Sequence, residues 1–227
     1  METVLVIAAH PDDEILGCGA VMAKHINDGD QLTCVILGSG VTSRSASSSN
    51  HDLELMQLRE STVKAHKCIG NDNLIFLDYP DNKFDSVPLL DLVQDLEGVT
   101  REINPTMIYT HHWSDVNVDH RLTFDAVSAI ARSMPGQTIQ EIRHFEIVSS
   151  TNWSLQSGSS QFHPNLFVDI TDFMESKKDA LICYKSEMRD FPHTRSLESI
   201  DALAAYRGSS VGTYRAEAFE VSRRIIK

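Results

Sequence analysis

Residues 9–20 read AHPDDEILGCGA, and within them His10, Asp12, Asp13 and Glu14 crowd into five positions shortly after the apolar run Val4-Leu5-Val6-Ile7. Three neighbouring carboxylates repel one another, so a positive partner is expected among them. His10 and Asp13 stand three apart, with Pro11 stiffening the chain between them. That spacing lets both side chains converge on one ion while Asp12 points elsewhere. Imidazole plus carboxylate suits Zn²⁺ or another divalent transition metal. A second polar cluster, THHWSDVNVDH at residues 110–120, follows another apolar run. His120 is the expected third ligand, which leaves one coordination position for water. The spare carboxylate of Asp12 is then placed to take that water's proton, the arrangement of a metal-assisted hydrolase. Each cluster alone has a plainer reading. The first can be a helix cap with an acidic first turn, the second a polar loop of hydrogen-bonded histidines.

The elements that must position these residues are visible as alternating patterns. Apolar runs of strand length (TVLVIAA, LTCVILG, NLIFL, TMIYT) alternate with segments of helical period, the signature of βα units and a largely parallel sheet. Helices are expected from Ile15 to Ile26 ending at Gly29, from Leu53 to Cys68, from Leu89 to Ile103 stopped by Asn104-Pro105, and over LTFDAVSAIARSM. Later come strands in HFEIVSS, NLFVDI and EAFEVSR, and helices from about Thr171 to Met188 and over SLESIDALAAYRG. The Ser- and Gly-rich stretch GSGVTSRSASSSNHD reads as a loop at a strand end, where open α/β sheets bind ligands. Both polar clusters also follow buried strands. In a parallel sheet those ends share one edge, so residues far apart in sequence can meet there.

With 227 residues, 41% of them hydrophobic, and no repeat or linker, the chain is expected to form one α/β domain with helices on both faces of the sheet. The net charge of −12, from 20 basic and 32 acidic residues, argues against nucleic-acid binding. The start METVLVIAAHPDDE lacks a cationic segment, and no stretch has the length of a membrane span. Cys18, Cys34, Cys68 and Cys183 are scattered without a C-x-x-C pair, which suits reduced thiols. A cytoplasmic, non-membrane protein is therefore expected.

AHPDDEILGCGA, the LRE in the second helix with Gly70 after its end, and DVNVDHR leading into a helix together resemble the PIG-L/LmbE-like family of zinc-dependent de-N-acetylases. The resemblance runs from the first strand to about residue 130, and FHPNLFVDIT with AEAF is similar to the C-terminal part of sugar-directed members. It implies a Rossmann-like part over 1–130 carrying both metal motifs and a C-terminal part over 131–227 completing the pocket. It also implies His10, Asp13 and His120 as Zn²⁺ ligands, Asp12 as general base, and an N-acetylated sugar as substrate. Many members have His-x-Asp-His in the second motif, with the first His helping the oxyanion, whereas this chain has Asn117 there. Asn donates a hydrogen bond without becoming cationic. Oxyanion stabilisation is then expected from the metal with Asn117, or from His193 in RDFPHTRS. Asp115 is expected either to orient a metal-bound histidine or to cap a turn. Arg59 and Asp81 are expected to bind the sugar, and Arg44, Arg59 and Arg195 to meet a phosphate on a nucleotide- or lipid-linked sugar. Two other readings stand beside this one: an amidase of a non-sugar or thiol-conjugate amide at the same site, and a metal-free Rossmann-like binding module.

Overall fold

The computed structural model describes residues 1–40, 51–155 and 161–226. Five strands, β1 (Thr3–Ala8), β2 (Gln31–Gly38), β3 (Leu74–Tyr79), β4 (Met107–His111) and β5 (Glu141–Phe145), alternate with helices α1 (Asp13–Asn27), α2 (His51–Cys68), α3 (Leu89–Ile103) and α4 (Val118–Ile130). The C-terminal part adds β6 (Leu166–Asp169), α5 (Met174–Cys183), α6 (Leu197–Ser209) and β7 (Ala216–Arg224). All seven strands form one sheet in the order β3-β2-β1-β4-β5-β7-β6. The first five are parallel, while β7 runs antiparallel to both β5 and β6. The expected single α/β domain with a largely parallel sheet is what forms.

The alternation of side chains along β1 builds two cores. Val4 and Val6 face a layer filled from α1, α2, α5 and α6, and Leu5 and Ile7 face one filled from α3 and α4. Burial on both faces explains why β1 is an unbroken apolar run. Strand order reverses between β1 and β4, so their C-terminal ends flank the crevice where α/β folds place ligands. β1 delivers His10 there, and β4 delivers the chain into the second cluster. Gly38 at the end of β2 keeps that crevice open, because a Cβ there would stand 2.8 Å from the Ala9 carbonyl oxygen and 3.2 Å from the His10 ring.

α1 is broken at Cys18, whose φ of −147° is not helical. The amides freed at the break, Ala20 and Val21 N–H, donate to the buried Glu217 carboxylate at 3.1 and 2.7 Å. Lys177 Nζ donates to the Leu16 carbonyl at 2.7 Å and to Glu217 at 2.6 Å. A buried ion pair thus splices the two halves of α1, and the first half carries Asp13. The strand expected in HFEIVSS lies earlier, over Glu141–Phe145, because pairing of Met107 with Glu141 through His111 with Phe145 sets its register. Ile147 and Val148 remain buried without being strand, which is why the apolar run overshoots. No helix among the described residues is long and apolar enough to cross a membrane.

Candidate active site

His10, just past β1, and His120, in the first turn of α4, meet Asp13 at the start of α1. Asp13 Oδ2 lies 3.2 Å from His10 Nδ1 and 3.0 Å from His120 Nε2, and the two nitrogens are 3.3 Å apart. The distal nitrogens are each tied to a carboxylate. His10 Nε2 donates to Asp119 Oδ2 at 2.9 Å, and His120 Nδ1 lies 3.1 Å from Asp115 Oδ2. These contacts leave His10 Nδ1, His120 Nε2 and Asp13 Oδ2, which also accepts from the His10 backbone N–H at 3.1 Å, facing one another in the middle, an arrangement that suits positive charge. The spacing fits one: a tetrahedral ion with bonds of about 2.0–2.1 Å sets its ligand atoms roughly 3.3–3.4 Å apart. Asp13 Oδ1 is also buried and accepts no hydrogen bond. His10, Asp13 and His120 therefore form a candidate metal centre, and two overlapping groups, His111-Asp115-His120 and His10-Asp81-Asp119, surround it.

The electrostatics agree with the geometry. Burial alone would lower the His10 pKa, but Asp119, Asp13 and Asp81 raise it to about 10. Burial is likewise overcome at His120, which Asp13 and Asp115 raise to about 9. Burial pushes Asp115 up, while His120, Ser150 and Thr151 hydrogen bonds hold it down at about 2. The carboxylates thus draw positive charge into the pocket, as protons or as an ion. Besides holding His120, Asp115 accepts from Asn117 N–H at 2.9 Å and fixes the turn before α4.

Asp12 occupies the N-cap position of α1 but makes no side-chain capping bond, which removes the reading of this run as a mere cap. Its carboxylate instead accepts from Arg195 Nη1 at 2.7 Å. Burial raises its pKa well above the ordinary carboxylate value, against the opposing Arg195 charge. Arg195 also donates Nε–H to Ser149 Oγ at 2.7 Å, and it precedes Ser196, the N-cap of α6. A cavity of about 420 Å³ opens over this assembly, lined by His10, Asp12, Asp81, Asn117, His120, Glu187 and Arg195 among others.

Seven of the nine expected site residues come together: the three candidate ligands, Asp12, Asp81, Asn117 and Arg195. Asp81 is buried with Oδ1 3.2 Å from His10 Nε2. Asn117 caps α4, accepting from Asp119 N–H at 2.8 Å and donating to Asn82 Oδ1 at 3.1 Å. Two residues are not brought to the cavity. Arg59 pairs with Asp78 and lies over the Phe76 ring, lining a separate groove on α2, because its helix position faces the edge strand β3. His193 packs against Trp153, and its Nδ1 accepts from Arg195 N–H at 3.0 Å, so it reaches the site only through Arg195. Arg44 lies outside the described residues. The sequence reading missed Asp119, whose other oxygen accepts from Phe84 N–H at 3.0 Å. It also missed the buried His111, whose ring stacks on His120 at 4.0 Å and whose Nε2 accepts from Ala9 N–H.

An α/β fold with a candidate His-Asp-His metal centre, and beside it an arginine-paired carboxylate, at its switch point defines the class. The chain belongs to the PIG-L family, GlcNAc-PI de-N-acetylase, whose model matches residues 5–131. It is 26% identical over 230 residues to the diacetylchitobiose deacetylase of Thermococcus kodakarensis, covering 96% of this chain and 82% of that one. The N,N'-diacetylchitobiose deacetylase structure from Pyrococcus horikoshii aligns with a TM-score of 0.78 at 22% identity, over 97% of this chain and 83% of that one. The 4-carboxy-2-hydroxymuconate hydratase GalB of Pseudomonas putida KT2440 also aligns with a TM-score of 0.78, at 21% identity over 100% and 98%. These structural likenesses show the fold alone.

Proposed function

We propose that the protein is a Zn²⁺-dependent hydrolase that removes the acetyl group from an N-acetylated amino sugar. The observation that carries this reading is the convergence of His10 Nδ1, Asp13 Oδ2 and His120 Nε2 beside a cavity that Asp12 also lines. Membership of a de-N-acetylase family supports it. A divalent ion held by those three residues supplies Lewis-acid polarisation of the amide carbonyl and makes a nearby water more acidic.

The chain's own residues do the rest. Asp12 accepts a proton from the attacking water as its oxygen bonds to the acetyl carbon. Arg195 keeps that carboxylate oriented, and with Asn117 it offers N–H groups to the oxygen that gains charge. Asp12 then returns the proton to the departing nitrogen as the C–N bond breaks, giving acetate and a free amine. His193 acts by holding the Arg195 backbone. Asp81 and Glu187 in the cavity wall suit sugar hydroxyls as acceptors.

The carrier is the finer point. A nucleotide or lipid phosphate was expected to meet Arg44, Arg59 and Arg195, yet of the described arginines in that set only Arg195 lines the cavity, and it is paired with Asp12. An acidic wall favours a glycan-linked or free N-acetyl sugar. Incubation with N-acetylglucosamine, N,N'-diacetylchitobiose, a nucleotide-linked N-acetylglucosamine and an N-acetyl amino acid, followed by mass spectrometry, tests this. Deacetylation of the neutral sugars ahead of the other two is expected. Preference for the amino acid returns the non-sugar amidase reading, and release of no acetate from any of them contradicts the proposal.

A further inference from the structure

Glu14 is the third carboxylate of the AHPDDE run, and the chemistry above leaves it unused. It is fully buried and does not line the cavity, so it touches no substrate. Two donors converge on it. Asp12 N–H donates to Oε2 at 3.0 Å, and Tyr184 O–H donates to Oε1 at 2.7 Å. His66 Nε2 stands 3.3 Å from Oε1 without hydrogen-bonding to it.

The first of these bonds matters most. Asp12 has a φ of 103°, a conformation that costs a residue with a Cβ on the order of 1–3 kcal/mol and persists only where neighbours over-determine it. The peptide N–H on one side of that strained residue is the group Glu14 receives. On the other side, the Asp12 carbonyl accepts from Leu16 N–H at 2.9 Å. Held at both ends, the residue has its carboxylate turned to Arg195 and the cavity rather than to the helix end.

We propose that Glu14 is a positioning residue that locks the Asp12 peptide in its left-handed conformation and thereby aims the general base. The lock is anchored in the segment after α5 through Tyr184. The inference rests on Asp12 being the base. Glu14→Leu removes the acceptor, whereas glutamine would keep it, since its carbonyl oxygen can still accept from the Asp12 N–H while its NH₂ group donates to the Tyr184 hydroxyl.

The test uses the full chain loaded with Zn²⁺, with N-acetylglucosamine and N,N'-diacetylchitobiose as substrates, and compares wild type with Glu14→Leu and Ile142→Ala. Ile142 is buried in the layer shared with α3 and α4, so its truncation destabilises without touching the lock. For Glu14→Leu the expected result is unchanged metal content, KM within about twofold, and kcat lowered about tenfold or more, the scale of a misplaced reacting group. Hydrogen exchange at the Asp12 amide should quicken by about tenfold, reporting local opening independently of turnover. Ile142→Ala should keep kcat within about twofold. Should Glu14→Leu not fold, Glu14→Asp withdraws the carboxylate by one methylene while keeping its charge, and the same pattern is expected. Wild-type kcat with accelerated Asp12 exchange, or an equal kcat loss in Ile142→Ala, overturns the inference. Full activity of Asp12→Asn would instead remove the base itself, a failure of the functional reading.

Discussion

Asp12 and Asp13 are adjacent in sequence yet face different partners, Arg195 for one and the two histidines for the other. On the proposed reading their separation divides proton transfer from ion binding, and it predicts different phenotypes. Asp12→Asn should keep its metal and lose at least about two orders of magnitude in rate, the scale for removing a general base. Asp119→Ala should lower metal affinity by roughly 10–100-fold, because His10 loses the acceptor that fixes its tautomer. Metal titration with parallel kinetics separates the two, and an active Asp12→Asn or an Asp119→Ala with wild-type affinity would contradict these roles. His10, Asp13 and His120 were readable because two short motifs hold them. Asp119 was not, since only the first turn of α4, docked against Phe84, swings it to His10. Glu14 was legible as a member of the cluster, but its partner Tyr184 lies 170 residues away. Arg195 was expected on substrate and is found on Asp12, a pairing that spans 183 residues and leaves no local signal.

At the scale of elements, the broken α1 and the β5–β7 pairing carry the C-terminal part into the site's support. Removing Glu217 would leave Lys177 buried without its counter-charge and the Ala20 and Val21 amides without an acceptor. Glu217→Ala should therefore cost about 3–5 kcal/mol in denaturant unfolding, whereas a cost below about 1 kcal/mol would show the splice to be dispensable. On β5, His144 is buried between the His111 carbonyl, to which Nδ1–H donates at 3.0 Å, and Ser222, whose hydroxyl lies 2.9 Å from Nε2. Burial lowers its pKa from 6.5 to about 4. Between those values the unfolded chain binds a proton that the folded chain refuses. Stability is thus lost as pH falls from 6.5 to about 4, by ~3 kcal/mol through this residue. His144→Asn should flatten the fall of stability over that window relative to wild type, and parallel curves would contradict the assignment. Element order was legible because strand and helix periods differ. The break in α1 was not, because it depends on a glutamate nearly 200 residues further along the chain.

Across the whole molecule, the sheet order explains why two distant motifs make one site. β1 and β4 are neighbours at the point where strand order reverses, so loops about 100 residues apart open on the same crevice. The same fold serves a hydratase as well as deacetylases, so architecture alone does not choose the reaction. On the proposed reading the choice rests on the candidate metal centre formed by His10, Asp13 and His120. Elemental analysis by plasma mass spectrometry, on protein purified without added metal, measures this directly when paired with deacetylation of N,N'-diacetylchitobiose before and after chelation. One divalent ion per chain in wild type is expected, with little in a folded His120→Ala variant and activity that disappears on chelation and returns with Zn²⁺. Equal loading of His120→Ala, or full turnover by metal-free wild-type protein, would contradict the centre described here.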